Sequence, residues 1–511
     1  MARQALRMSA GPDHRHSAGP WWQTRLFVAG CMLLLILPLL WPAVPPLMDL
    51  PGHIGRYHIA DAIGSSPDLQ RHWSFQWAPI GNLGVDLLVV ALAKLVGVEP
   101  ATKAVVIAIP LLWGWGVVRL SRLVHGGLTP AAPIAFALVY GYSFHAGFVN
   151  FVLASALVLH ALAWWMILGR QGRLWLRGAL FVPVSFLLWL CHSFGWGMFG
   201  LFAFAVEVVR LRRGGASWAH ALVNAVLPCL LLALPALVMR GGGVALDPEW
   251  SWAAKLVWAA SLLRDRWQRF DALSALFVLS FLLILLRHTR GRGLGELGAA
   301  ALIGFLAFLA LPRLMLGGSY VDMRMLAPAV AMLVIAIPAR GALVAAFAAG
   351  FFLIRMGATT ISLFLYGEAQ RDAAEALAHI PRGAAVLSLV AEPCGWASTR
   401  LTHIAGLAVA RRDAFTNEQW ALAGQQLLRP RHADSGSLRA DPSQIIYAQG
   451  CQYQTTQLKP GIAGFSRGTF THVWTVGVPA DPGLFPDLQL IWSNPVSAVY
   501  QVRLKGRPLV P

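Results

Sequence analysis

The sequence predicts an α-helical polytopic membrane protein of about eleven transmembrane helices, followed by a small C-terminal extracytoplasmic α/β domain. Three observations predict it. Hydrophobic residues make up 57% of the 511 and charged ones only 13%, about half the charge of a soluble domain. Apolar runs long enough to cross a bilayer recur along the first 360 residues, joined by short Arg-rich connections. Beyond 365 the apolar density falls, and short β-type runs alternate with Pro, Gly and Asp.

The basic residues Arg3, Arg7, Arg15 and Arg25 open the chain, and the apolar run 26–45 follows. Its exit, LLWPAVPPLMD, has no small-residue cleavage site, so an uncleaved first helix is expected. Further spans are expected at 103–118, 129–147, 149–168, 176–191, 193–209, 219–239, 271–287, 295–312, 325–339 and 341–360. One more apolar segment, LGVDLLVVALAKLVG (83–97), is only fifteen residues long and holds Asp86 and Lys94.

Charge decides that segment. If 83–97 crosses, Arg119/Arg122, Arg170/Arg173/Arg177, Arg210/Arg212/Arg213 and Arg287/Arg290/Arg292 all fall opposite the basic N-terminus. If it lies along the surface, every cluster joins the N-terminus and Arg340 joins them, as the positive-inside rule requires. The second arrangement is the one expected. It makes 1–25 a cytoplasmic tail, 26–364 a membrane domain with an outer loop at 46–102, and 365–511 an extracytoplasmic α/β domain. The turns near 145–150 and 192 and the loops 240–270 and 313–324 share that outer face.

In the tail, strands are expected at 384–390, 443–448, 471–478, 488–492 and 498–504, with 432–443 an exposed loop. Cys394 and Cys451 both fall there and could pair outside the cytoplasm or remain two thiols. The net charge of +18 comes from Arg and Lys clusters between spans, a membrane pattern that argues against nucleic acid as a partner. No P-loop, zinc spacing, nucleophile elbow or dinucleotide fingerprint occurs, and no metal ligands are assigned.

Polar residues that could carry chemistry collect on the outer face. PPLMDLPGHIGRYHIAD (45–61) places Asp49 where the first helix leaves the bilayer, with His53, Arg56 and His58 just after. A carboxylate there suits proton abstraction from a hydroxyl, or else simply starts a helix. GYSFHAGFVNF (141–151) brings His145 and Asn150 to a turn, CHSFGWG (191–197) brings His192, and SYVDMRMLAP (319–328) brings Asp322 and Arg324. Each alone reads first as a helix-end cap, and Asp322 with Arg324 as a local ion pair; it is their convergence on one face that points to a site. An arginine on that face can hold phosphate by its planar fork. Trp73, Phe75 and Trp77 fit an aromatic belt, or a stacking surface for a sugar.

PPLMDLPGHIGRYHIA, WAPIGNLGVDLL (77–88), GFVNF (147–151) and YVDMRMLAP (320–328) resemble a bacterial subgroup of the GT-C superfamily of membrane glycosyltransferases, which includes protein O-mannosyltransferases and aminoarabinose transferases. The resemblance covers the spans and first loop well and the tail loosely. It implies an acidic catalytic base in the outer loop, which is Asp49, and basic residues holding the phosphate of a polyprenyl-phosphate sugar, with Arg324 the candidate. Many members carry two adjacent acids here, whereas Leu50 and Pro51 follow Asp49; His53 could replace the second polar partner.

The expected activity is therefore an inverting sugar transfer from a lipid-linked donor to a glycan, lipid or protein acceptor, at the outer face of a bacterial inner membrane. Asp49 would be catalytic, and His53, Arg56, His145, Asn150, His192, Asp322 and Arg324 would bind substrate. No cofactor is assigned, and a divalent metal stays open. Membrane lipids are the remaining partner. Two rivals are a transporter or flippase of glycan or lipid precursors, and a non-catalytic scaffold with an outer glycan-binding domain. Transport calls for ionisable groups at mid-membrane, where His160 is the main one in this sequence.

Overall fold

A computed structural model describes residues 19–238, 248–289, 293–315, 318–421, 426–432, 445–447 and 458–503. Helix α1 (Arg25–Leu40) starts at Thr24, whose side chain accepts a hydrogen bond from the Phe27 amide. The first loop then forms α2 (Leu50–Ala62), α3 (Pro67–His72), β1 (Trp73–Phe75) and α4 (Gly84–Val96). The bundle continues through α5 (Val98–His125), α6 (Ala132–Ala137), α7 (Tyr142–His145), α8 (Val149–Arg170), α9 (Leu174–Cys191), α10 (Ser193–Arg213) and α11 (Trp218–Leu230). After it come α12 (Trp252–Ala260), α13 (Gln268–Arg287), α14 (Gly295–Ala310), the short strands β2 (Leu314–Met315) and β3 (Gly318–Ser319), then α15 (Leu326–Ala336) and α16 (Ala342–Ala374).

Seven of the described helices are long and apolar enough to cross a membrane: α5, α8, α9, α10, α11 with its 3-10 extension to Leu237, α13, and α16 with its extension to His379. Three shorter apolar helices accompany them, α1, α14 and Met323–Ala336. This is a multi-pass architecture, and the described helices do not by themselves show the expected count of eleven spans. The segment 129–147 shows one reason. It is α6, a 3-10 turn and α7, broken where Gly141 adopts an extended conformation. Its residues are apolar because protein surrounds them, and hydropathy alone does not distinguish that from lipid. Helix α4, at thirteen residues, is about 20 Å long against a hydrocarbon core of about 30 Å.

Two of the basic clusters, at 170–177 and 210–213, meet at one end of the bundle. Arg170 and Arg213 both pair with Glu296, at 2.7 and 3.3 Å, and Arg177 and Arg210 share Glu207 at 2.5 and 2.8 Å. Arg170 also donates to the Leu123 carbonyl, and Gln23 to that of Leu128. The connections at 23–25, 123–128, 170–177 and 207–213 therefore share a face, as the charge pattern demands.

The C-terminal region is built on a mixed sheet. Strands β4 (Ala385–Glu392), β5 (Phe415–Thr416), β7 (Ile445–Tyr447), β8 (His472–Val476), β9 (Leu488–Ser493) and β10 (Ser497–Val502) form it, in the order β5-β4-β8-β10-β9, with β7 also on β4. Strand β4 is parallel to β5, β7 and β8, while β10 runs antiparallel to β8 and β9. β4 and β8 are buried along most of their length, Val386, Leu387, Val473 and Trp474 completely, as central strands covered on both faces should be. Helices α17 (Gly406–Arg412) and α18 (Leu458–Gly464) lie in the same region. Cys394 is disulfide-bonded, and Cys451 and most of the expected loop 432–443 lie outside the described residues.

Two joints fix this region to the first loop. β1 pairs antiparallel with β6 (Leu428–Pro430), so Trp73 becomes part of the C-terminal core, against Phe415, and not a surface aromatic. Helix α17 crosses α2 at backbone distance. A side chain at Gly406 would strike the Pro51 carbonyl and come within 2.7 Å of the Gly52 Cα. Only glycine permits that approach.

Candidate active site

The crossing of α2 and α17 determines what surrounds Asp49. Asp49 is the N-cap of α2 but makes no capping hydrogen bond with its side chain. Its backbone is clamped instead. The Met48 and Asp49 amides donate to the His145 and Ala146 carbonyls, and Gly147, at φ +89°, leaves only 2.7 Å between an added Cβ and the Asp49 nitrogen. That is the physical content of the GFVNF motif: a left-handed turn with no room for a side chain.

The carboxylate thus points into a largely buried polar space, with its side chain 17% exposed. Burial pushes its pKa up to about 6 from 3.8; His403 and Arg324 pull it down, Glu418 pushes it up, and Arg56 pulls it down. His403 Nε2 lies 3.8 Å from Asp49 Oδ1. His403 Nδ1 in turn lies 2.9 Å from Glu418 Oε2.

Arg324 sits in the 3-10 turn Met323–Met325 that leads into α15. Burial lowers its pKa to about 10, partly offset by Asp49. Its Nη2 donates to the Ser319 carbonyl at 3.1 Å, and its guanidinium rests over Phe148 at 4.5 Å. Its Nη1 lies 3.1 Å from His192 Nε2. His192 caps α10, accepting the Phe194 amide on Nδ1, so the neutral ring carries its proton on Nε2. Two donors therefore face one another. Arg324 Nε is buried with no hydrogen-bond partner among the described residues. Donors arranged this way can take an anion. Beside them is a narrow apolar cavity of about 20 Å³, lined by Phe144, Phe151, Val152 and Ala327, with Arg324 the charged group on its wall.

The remaining candidates are placed differently. His53 borders the site, its ring between Tyr57 and Trp420 at centroid distances of 6.1 and 5.2 Å; burial first, then Arg56, lowers its pKa. Arg56 is committed elsewhere, with Nε and Nη2 on the two Asp86 oxygens at 2.8 and 3.0 Å and Nη1 on Gln426 at 3.2 Å. Asn150 joins the same knot, donating to Asp86 at 3.0 Å and accepting the Val85 amide at 2.5 Å. Its job there is to fasten the first turn of α4 to α8. Asp322 pairs with Lys255 at 3.1 Å rather than with Arg324. His145 is buried 3.9 Å from Asp265, in a network that also holds Arg400, Ser362 and the Pro46 carbonyl.

Several participants escaped the sequence. His403, Glu418 and Trp420 come from RLTHIAG and FTNEQW, which carry no local signature and approach Asp49 only because α17 docks on α2. Glu207 and Arg355 are buried charges inside α10 and α16 that were not counted beside His160. Each is matched, Glu207 by Arg177 and Arg355 by Asp271 at 2.7 Å, and His160 donates to the Leu112 carbonyl at 2.9 Å. No group of three or more His, Cys, Asp or Glu suited to a metal occurs among the described residues.

No family model matches the chain, and no curated protein matches it. Among solved structures it is similar to the cryo-EM structure of the arabinofuranosyltransferase AftD from Mycobacteria, at 15% identity and a TM-score of 0.46. The likeness covers 94% of this chain and 40% of that one, so the chain spans two fifths of that protein's length. A likeness of this grade assigns no role to any residue of the site.

Proposed function

We propose that the chain is an inverting glycosyltransferase that moves a sugar from a polyprenyl-phosphate donor to a hydroxyl acceptor, at the outer face of a bacterial inner membrane. One observation carries this reading. The carboxylate of Asp49, at the start of α2, is electrostatically coupled to the buried guanidinium of Arg324, whose Nε has no hydrogen-bond partner among the described residues. A base and an anion holder acting together are what this transfer needs.

In the reaction, Asp49 takes the proton of the acceptor hydroxyl as its oxygen bonds to the anomeric carbon. The bond from that carbon to the phosphate oxygen breaks, and the electron pair leaves with the lipid phosphate. Arg324 and the His192 Nε2 proton meet the growing charge there, in a buried setting. His53, kept neutral, borders the acceptor side.

The test is transfer of radiolabelled sugar from a panel of polyprenyl-phosphate sugars by the purified full chain in lipid nanodiscs. Transfer that disappears in Asp49→Asn supports the reading. Absence of transfer from every donor, with cell-envelope glycans identical by mass spectrometry with and without the protein, rejects it.

A further inference from the structure

The C-terminal region also reaches Asp49, because Glu418 and Trp420 hold the imidazole of His403 near its carboxylate. We propose that His403 is a positioning residue for Asp49, presenting a positively charged ring that keeps the carboxylate ionised and oriented, with Glu418 fixing the tautomer. This rests on the reading of Asp49 as the base.

Three contacts among the described residues set the ring. Nδ1 faces Glu418 Oε2 at 2.9 Å, the ring face packs on Trp420 at 4.2 Å between centroids, and Nε2 is turned to Asp49 Oδ1 at 3.8 Å. Glu418 is fully buried and itself anchored, accepting from Thr416 Oγ1 at 3.2 Å and Gln419 Nε2 at 2.9 Å. Gln419 also donates to the Gly52 carbonyl on α2 at 3.1 Å. The turn carrying these residues is pinned to the middle of β4, where Asn417 accepts the Ser388 amide at 2.7 Å and donates to its carbonyl at 3.1 Å. Trp420 in turn fits only because position 52 is glycine; a Cβ there would lie 2.8 Å from its ring.

The chemistry follows from donor and acceptor roles. A carboxylate only accepts, so the Glu418 contact places a proton on Nδ1 of His403. In the charged ring of the proposal a second proton sits on Nε2, facing Asp49 at ion-pair distance, with a carboxylate at each end of the ring. Such a carboxylate–imidazole chain fixes ring orientation and favours the charged ring. The other charged groups acting on Asp49 among the described residues are Arg324 from the turn before α15, Glu418 itself, which pushes the Asp49 pKa up, and Arg56 from α2, already paired with Asp86. Among the groups that pull the Asp49 pKa down, His403 is the largest. Without it, burial acts with less opposition and the carboxyl protonates at higher pH.

A joint that merely welds two regions together predicts something else: lower stability, and a rate lowered equally at every pH. The experiment therefore reads pH dependence in the full-length protein, using His403→Gln and His403→Asn. The first amide reaches toward Nε2, and the second keeps a donor for Glu418. In both, the acid limb of kcat/KM should move up by about one pH unit or more, with a loss of about tenfold on the acid side and a near-normal rate on the alkaline side. Thermal melts identify a variant that fails to fold, and the other then carries the test. A limb left in place in a folded variant overturns the proposal.

A second readout needs no transferase activity. The infrared band of the Asp49 carboxyl, recognised by its loss in Asp49→Asn, should titrate in the wild type and shift to higher pH in the His403 variants. A shifted band with no transfer from any donor upholds the pairing and removes the transferase reading. Asp49-dependent transfer with an unshifted band does the reverse.

Discussion

Arg56 and Arg324 lie on the same face of the molecule and, from the sequence, offer the same thing. Their surroundings separate them. Arg56 is saturated: three nitrogens meet Asp86 and Gln426, and Asn150 completes the Asp86 side. Arg324 has one backbone acceptor, an imidazole N–H where an acceptor should be, and an Nε with nothing among the described residues. A buried cation whose bonds are all made is part of the scaffold. One with an unfilled donor can serve a ligand, which is the role proposed for Arg324.

The contrast is broken most severely at Asp49, the carboxylate electrostatically coupled to Arg324. Asp49→Asn keeps the shape and removes the proton acceptor, so transfer should fall by about a hundred-fold to ten-thousand-fold. Asp61→Asn and Asp68→Asn should stay near the wild-type rate, because those carboxylates pair with Lys94 at 2.6 Å and Arg71 at 3.0 Å, away from Arg324. A fully active Asp49→Asn would move the site elsewhere.

The scaffold side breaks in stability. Asp86→Asn leaves Arg56 as a buried charge without its counterion, which costs about 3–5 kcal/mol and should show as a lowered melting temperature and poor yield. Arg56→Met with Asp86→Leu removes both charges and should recover most of the loss. If Asp86→Asn melts like the wild type while donor binding weakens, Arg56 and Arg324 have exchanged roles.

These two sites also show what could be read from residues alone. The exit of α1, the polar first loop and the gathering of basic clusters on one face follow from charge and hydropathy, which act locally along the chain. The strands at 385–392, 472–476, 488–493 and 497–502 lie within a residue or two of their alternating patterns. Segment 129–147 was opaque, because a buried broken helix and a lipid-facing one carry the same apolar residues. So were the partners of Arg56, since Asp86, Asn150 and Gln426 are distant in sequence. His403 and Glu418 depend on a glycine-to-glycine crossing between residues 52 and 406, which no local pattern announces.

Arg324→Lys sharpens the comparison with a smaller effect. An ammonium keeps the charge but not the fork, so it cannot meet a phosphate at two points. Donor KM should rise by about ten- to a hundred-fold with kcat less changed, and the melting temperature should stay put because few bonds are lost. Arg56→Lys should do the opposite, lowering stability through its lost bidentate bond to Asp86 with donor KM near normal.

The smallest expected effect is also the most pointed, because it separates a site from a scaffold by sign. The Asp49 pKa is raised from 3.8 to about 6. Between those values the folded chain binds a proton that the unfolded chain has released, so this group's contribution to stability falls as pH rises through that window. Above it, the ionised carboxylate is a standing cost of folding. Asp49→Asn should remove that cost and raise stability by about 1–2 kcal/mol near neutral pH, after discounting for the solvent the side chain still sees. The gain should shrink as the pH is lowered toward 4, where the wild-type carboxyl is itself neutral. Melting curves of both proteins across that range are the measurement. An inactive variant more heat-stable than its parent marks a carboxylate held in an unfavourable place for its chemistry. Were Asp49→Asn less stable at neutral pH, as expected for Asp86→Asn, Asp49 would belong with the scaffold.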